Sequence, residues 1–171
     1  MAAPLKETAL SRRLGTFAGA AALVVALDQV SKAAARSSLT LGQPVALVPR
    51  VMDLSLVYNT GAAFSIGSGK GLLFVAVAVV IAAACTALTC KERAIPLPLA
   101  ATLGCVVGGG VGNAIDRVVF GRVTDFFATT FIDFAVFNVA DVFITCGVVL
   151  AVVLWARWDK DQAADEASEG R

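Results

Sequence analysis

Two apolar runs constrain this chain more than anything else in it: Gly71 to Cys90 and Ala94 to Ile115, 20 and 22 residues long, contain no Asp, Glu, Lys or Arg. A helix rises about 1.5 Å per residue, so about 20 residues cross a hydrocarbon layer about 30 Å thick. Inside such a layer the backbone has no water to bond, and a helix satisfies its N–H and C=O groups internally. Only Lys91, Glu92 and Arg93 separate the two runs, a connection short enough to make them antiparallel neighbours. Two further spans are less pure. Leu14 to about Ala34 carries Asp28 and Lys32 near its far end, and Asn138 to Trp158 carries Asp141 near its beginning. Lys6, Arg12 and Arg13 ahead of Leu14 give the N-terminus the outline of a signal peptide, but three more spans follow, so the expectation is a retained first membrane helix.

Composition supports a chain whose main solvent is lipid. Hydrophobic residues make up 58% and charged residues 16%, against about 25% charged in soluble domains. A net charge of +1 offers no field for nucleic acid. The chain has no histidine, which removes Ser-His-Asp, Cys-His and histidine-ligated zinc chemistry. Cys85, Cys90, Cys105 and Cys146 stand singly in apolar stretches and read as small apolar side chains.

The polar interruptions converge. With alternating topology, Asp28 and Lys32 at the end of the first span, Asn113 and Asp116 at the end of the third and Asp141 at the start of the fourth share one side of the membrane. An ionised carboxylate in lipid costs at least about 2.5 kcal/mol and must face protein or water. Shared depth therefore suggests a cleft. A small transporter or channel would line a permeation route with charged groups, but only one side of the membrane gathers them, and the middle of the spans has none. Seven basic residues on the side of the termini against six on the other favour cytoplasmic termini by a narrow margin, with the cleft facing outward.

Two segments on the cleft side interrupt the spans. Leu39 to Ser68 has β-type runs at Pro44 to Val48 and Leu54 to Tyr58, the pattern of a small extended region. Val118 to Phe137 carries six phenylalanines and fits either an interfacial element over acyl chains or a plain membrane anchor. Asp159 to Arg171, acidic and rich in small residues, reads as a disordered tail.

Asn113-Ala-Ile-Asp116 and Asn138-Val-Ala-Asp141 repeat one spacing. In a helix each Asn could donate to its own Asp or orient it toward a neighbouring helix. Asp28 and Lys32, four apart, could form an internal ion pair. Two carboxylates sharing a proton can hydrolyse an amide with neither histidine nor metal. On spacing alone the partner of Asp141 is either Asp116 or Asp125.

Five stretches in order resemble the bacterial lipoprotein signal peptidases, signal peptidase II: Asp28 to Lys32, Tyr58 to Ser65, Gly108 to Arg117, Val123 to Phe126 and Phe137 to Asp141. The resemblance implies an all-α membrane protein with four transmembrane helices and a small extracytoplasmic β-rich cradle. It implies a single integral-membrane domain over residues 1–171, with flexible cytoplasmic ends expected at about 1–12 and 159–171. It further implies a bacterial cytoplasmic membrane location, cytoplasmic termini and a site near the outer face. The implied reaction removes signal peptides from prolipoproteins just before the diacylglyceryl-modified cysteine. Prolipoproteins and membrane lipid are the implied partners, the chain acts as a monomer, and no cofactor or metal is needed. Asp125 and Asp141 fall on the family's catalytic pair. Asp28, Lys32, Asn59, Gly61, Asn113, Asp116, Arg117, Asn138 and Ala140 fall on its supporting and positioning residues. The chain departs from the pattern at Thr124, where an apolar residue is common, and in a compact Asp125 to Asp141 stretch.

Overall fold

The computed structural model describes residues 8–61 and 67–169. Four helices, α1 (Leu10–Ser38), α2 (Gly71–Lys91), α3 (Leu97–Phe120) and α4 (Val139–Glu169), carry three strands between them: β1 (Val45–Val48), β2 (Met52–Asn59) and β3 (Val123–Thr129). All four helices are long and apolar enough to cross a membrane. The chain is a multi-pass membrane protein.

The third helix is the hub, with α1, α2 and α4 packed around it. Its glycines make this possible, because lipid supplies no hydrophobic drive between helices and close approach must do so. A Cβ on Gly104 or Gly108 would strike the carbonyl oxygens of Phe17 or Ala21 in α1; one on Gly109 would lie 2.6 Å from the Ala140 oxygen in α4. In contrast α2 buries only Thr89. Leu72, Leu73, Val79 and Val80 face outward, while Ala82, Cys85 and Leu88 pack against the core.

Each end of the bundle has its own character. At the end bearing the termini, Phe17, Ile95, Leu99, Leu103, Val107 and Trp158 form an apolar core. There Arg13 donates to the Glu92 and Cys90 carbonyls, at 2.8 and 3.3 Å, and so caps α2. At the other end Asp28, Lys32, Asn113, Asp116, Thr124, Asp125 and Asn138 are all buried. The antiparallel sheet, in the order β1-β2-β3, covers this polar end.

Several boundaries differ from the sequence reading. The third span begins at Leu97, not Ala94, because Pro96 is its N-cap with extended backbone. It runs on to Phe120 and stops at Gly121, which takes a left-handed φ of 68° and turns the chain into β3. Residues 123–129, expected within an interfacial aromatic element, pair as a strand with β2; Val57 lies opposite Asp125, and Asn59 opposite Val123. The expected disordered tail is helical as far as Glu169. Between Asp159 and Glu169 the chain has Ala, Glu, Gln and Lys with neither Gly nor Pro, so nothing stops α4 from continuing. Of the expected flexible N-terminal stretch, residues 1–7 lie outside the described residues and Leu10 is already helical.

Candidate active site

Local chain geometry delivers two carboxylates to one place. After β3 the chain turns back and Phe137 pairs with it, the Phe137 N–H donating to the Phe127 oxygen at 3.0 Å while the Phe137 oxygen accepts from the Phe127 N–H at 2.8 Å. The next residue, Asn138, therefore emerges beside β3 and starts α4. Its side-chain oxygen accepts from the Asp141 N–H at 3.0 Å, and the Asp141 carboxylate accepts from the Asn138 N–H at 3.1 Å. That is a reciprocal helix cap in which the acid three residues on is held by the cap residue itself. The Asn138 amide is left free to reach across, and it donates to Asp125 Oδ1 at 2.7 Å and to Asn113 Oδ1 at 3.1 Å. One fully buried asparagine thus ties Asp125 to Asp141.

Further donors fix each acid. Asn113 Nδ2 donates to Asp141 Oδ1 at 2.8 Å, and Lys32 Nζ donates to Asn113 Oδ1 at 2.7 Å. With two donors on its oxygen, the amide orientation of Asn113 is determined, and its NH₂ must point at Asp141. Asn113 therefore serves the acid of the other tetrad, not Asp116 in its own. Asn59 sits opposite Val123, so Asp125 is its diagonal neighbour on the same sheet face. It donates to Asp125 Oδ2 at 3.2 Å and accepts from the Gly61 N–H at 2.8 Å. Arg117 anchors the same turn by donating to the Gly61 oxygen at 2.8 Å.

Asp116 lies apart from this pair. Its carboxylate accepts from the Thr124 N–H at 2.9 Å and stands 3.7 Å from both Lys32 Nζ and Arg36 Nη1. Asp116 thus holds the main chain of β3 at the residue just before Asp125. Beneath lies Asp28, 2.8 Å from Lys32 and accepting from the Ala140 N–H at 3.0 Å, which joins α1 to the first turn of α4. Gly112 leaves room for this carboxylate, since a Cβ there would lie 2.5 Å from Asp28 Oδ2. The ion pair expected between Asp28 and Lys32 is formed, and all three of Asp28, Lys32 and Asp116 are fully buried.

Arg36, Gln29 and Thr124 also belong to this network. Arg36 donates to Thr124 Oγ1 at 3.0 Å, and Gln29 donates to the Gly112 oxygen at 3.0 Å. A signal for Arg36 existed in the sequence, because positions 28, 32 and 36 repeat every four residues along one helix face.

Asp125 and Asp141 open onto a cleft of about 350 Å³. Its deeper walls are apolar, with Phe74, Val77 and Ile81 from α2, Val106 from α3 and Ile144 from α4. Burial, followed by the charge of Asp141, pushes the Asp125 carboxyl up from 3.8 to about 6, while hydrogen bonds from Asn138 and Asn59 act in the opposite sense. The site can therefore hold one proton between two acids near neutrality.

Four membrane helices, a small sheet and a pair of carboxylates, Asp125 buried and Asp141 half-buried, at the head of an apolar cleft define a polytopic membrane protein equipped for acid–base chemistry beside lipid. The family model described as signal peptidase (SPase) II matches residues 20–157, and the chain belongs to that family. It is 39% identical over 162 residues to a lipoprotein signal peptidase of Hydrogenovibrio crunogenus, covering 87% of this chain and 91% of the relative. A lipoprotein signal peptidase of Streptococcus thermophilus is 38% identical over 133 residues, covering 77% and 87%. A bacterial membrane enzyme solved by the in meso method at 2.3 Å resolution superposes with a TM-score of 0.78 at 31% identity, covering 84% of this chain and 89% of that one.

Proposed function

We propose that this chain is an aspartyl endopeptidase that removes signal peptides from prolipoproteins, cutting just before the diacylglyceryl-modified cysteine. The observation that carries the reading is the joint tethering of Asp125 and Asp141 by Asn138 at the mouth of an apolar cleft. Family membership supplies the substrate class, since the relatives bear the name lipoprotein signal peptidase.

Asp141 is assigned as the base. Each acid has both oxygens accepting N–H donors, and what separates them is position: Asp141 lies in the first turn of α4, where the helix dipole favours negative charge. It takes a proton from water as the water oxygen attacks the scissile carbonyl. Asp125, with its raised pKa, is the acid and gives a proton to the carbonyl oxygen. Collapse of the tetrahedral diol breaks the C–N bond as Asp141 passes the water's proton to the amine nitrogen and a diol hydroxyl returns a proton to Asp125, and the new carboxyl group leaves with the signal peptide. Asn59, Asn113, Asn138, Gly61 and Arg117 position the pair. Asp28, Lys32, Asp116 and Ala140 hold the floor. Two carboxylates and water suffice for these steps, and a monomer carries the whole site.

The apolar cleft explains a preference for lipid-modified substrates. Each CH₂ moved from lipid to water costs about 0.8 kcal/mol, so the acyl chains remain in the bilayer beside the exposed faces of the helices while the peptide enters. With cytoplasmic termini, the sheet end and the cleft mouth face outward, toward precursors that have already received their lipid.

The test is incubation of the reconstituted protein with a diacylglyceryl-modified precursor. Wild type releases the signal peptide, and Asp125→Asn or Asp141→Asn inserts normally but does not. Cleavage by either variant at the wild-type rate would overturn the assignment; equal cleavage of a non-lipidated precursor would overturn the lipid requirement.

A further inference from the structure

One polar side chain of the cleft has no part in the chemistry proposed above. Asn59, Asn113, Arg117, Asp125 and Asp141 gather at the sheet end of the cleft and bond one another or the adjoining backbone. Thr145 lines the same cleft one helical turn below Asp141. That places it about 6 Å deeper along α4, among apolar walls.

The threonine hydroxyls of α2 and α3 are satisfied locally. Thr86, Thr89 and Thr102 each donate to the carbonyl four residues earlier, at 2.7, 2.8 and 2.8 Å. Such back-bonding lets a hydroxyl lie at hydrocarbon depth without a partner helix. Thr145 does not do this: its side chain is exposed in the cleft, and among the described residues its hydroxyl has no protein partner. Thr16 also lacks one, but it sits near the charged end of α1, close to Arg12 and Arg13. Thr145 is thus set apart by depth.

Signal sequences are apolar, so the polar groups that one brings into such a cleft are those of its main chain. A helix would hide these groups. Near the bond to be cut the chain must be extended to present a carbonyl to two carboxylates, and extended backbone beside lipid leaves its N–H and C=O groups unsatisfied. Extended chain rises about 3.3 Å per residue, so the drop from Asp141 to Thr145 corresponds to about two residues. We infer that Thr145 is a substrate-binding residue, its hydroxyl donating to a main-chain carbonyl of the signal peptide about two residues before the scissile bond. The inference rests on the peptidase reading and adds to it a contact that holds the substrate's register in the cleft.

Thr145→Val keeps the shape and removes the hydroxyl. Because the bond would be present equally in bound substrate and transition state, the variant is expected to raise KM about three- to tenfold at unchanged kcat. Its thermal unfolding in detergent should match wild type, and Thr145→Ser should restore KM. A precursor series with one main-chain amide replaced by an ester, a poorer carbonyl acceptor, should show one position at which wild type loses affinity and Thr145→Val loses nothing more. A Thr145→Val KM within twofold of wild type, or no rescue by Ser, would overturn the inference while leaving the peptidase reading standing. Failure of wild type itself to cleave the lipidated precursor would overturn that reading and this inference with it.

Discussion

Burial and the charge of Asp141 hold Asp125 in a state that costs stability once it ionises. Its folded pKa of about 6 exceeds the ordinary 3.8, so between these values the native state binds more protons than the unfolded chain. Stability therefore falls as pH rises from about 4 to about 7, by up to about 3 kcal/mol for a shift of this size. Asp125→Asn should flatten that slope in detergent melts at pH 4 to 7 while eliminating cleavage. For the free enzyme, kcat/KM should fall on the alkaline side of about pH 6; in kcat the same limb should lie higher, because bound substrate excludes water from the pair. Asp116, the alternative partner of Asp141 on sequence spacing, predicts the opposite division. Its carboxylate faces Lys32, Arg36 and the Thr124 N–H. Removing it in Asp116→Ala leaves Lys32 its closer partner Asp28 at 2.8 Å but strips the buried Thr124 N–H of its acceptor and Lys32 and Arg36 of a second carboxylate, and should cost about 1–3 kcal/mol, yet the fraction that stays folded should still cleave. A stable but inactive Asp116→Ala would contradict that division.

Elements meet where side chains are missing. Asp28 is fixed by Lys32 and by the Ala140 N–H, so it cannot retreat from a methyl group on Gly112, whose Cβ would lie 2.5 Å from its Oδ2. Gly112→Ala should destabilise by about 1–3 kcal/mol, and a melt unchanged from wild type would show that α1 and α3 can part without cost. Gly15 in α1 is the control: a Cβ there meets nothing within 4 Å, and Gly15→Ala should leave the melt unchanged or raise it. The spans were legible because a membrane demands a length and a composition that Gly71 to Cys90 displays openly. So was the convergence of Asp28, Asn113, Asp116 and Asp141, since alternation of four helices sends their polar ends one way. Strand β3 was not legible. Its aromatic residues suit an interface as well as a strand, and only the pairing of Val57 with Asp125, 68 positions apart by number, decides between them. The direction of the Asn113 amide was hidden for the same reason: its spacing to Asp116 is local, while the Lys32 and Asn138 donors that orient it come from two other helices.

The whole bundle is asymmetric in a way that gives the cleft an entrance. Helices α1 and α4 clasp α3 tightly through Gly104, Gly108 and Gly109, whereas α2 leaves its surface to lipid and lines the cleft with Phe74, Val77, Ala78 and Ile81. The apolar core around Trp158 closes the end bearing the termini, so a membrane-embedded peptide has no route through the bundle from there. On the peptidase reading proposed above, its expected way in is sideways, between α2 and α4, with the polar network ahead of it. Ala78 lies on this path, 3.7 Å from the position a Gly110 Cβ would occupy. Ala78→Phe should fill the passage without touching Asp125, Asp141 or the residues that hold them. Cleavage of the full precursor should fall about tenfold or more, equivalent to about 1.4 kcal/mol of lost binding, at an unchanged melting temperature. A peptide carrying only the few residues around the scissile bond bypasses the passage and should be cut by Ala78→Phe and wild type alike. Equal losses on both substrates would place the obstruction at the carboxylates, and lateral entry between α2 and α4 would then be wrong.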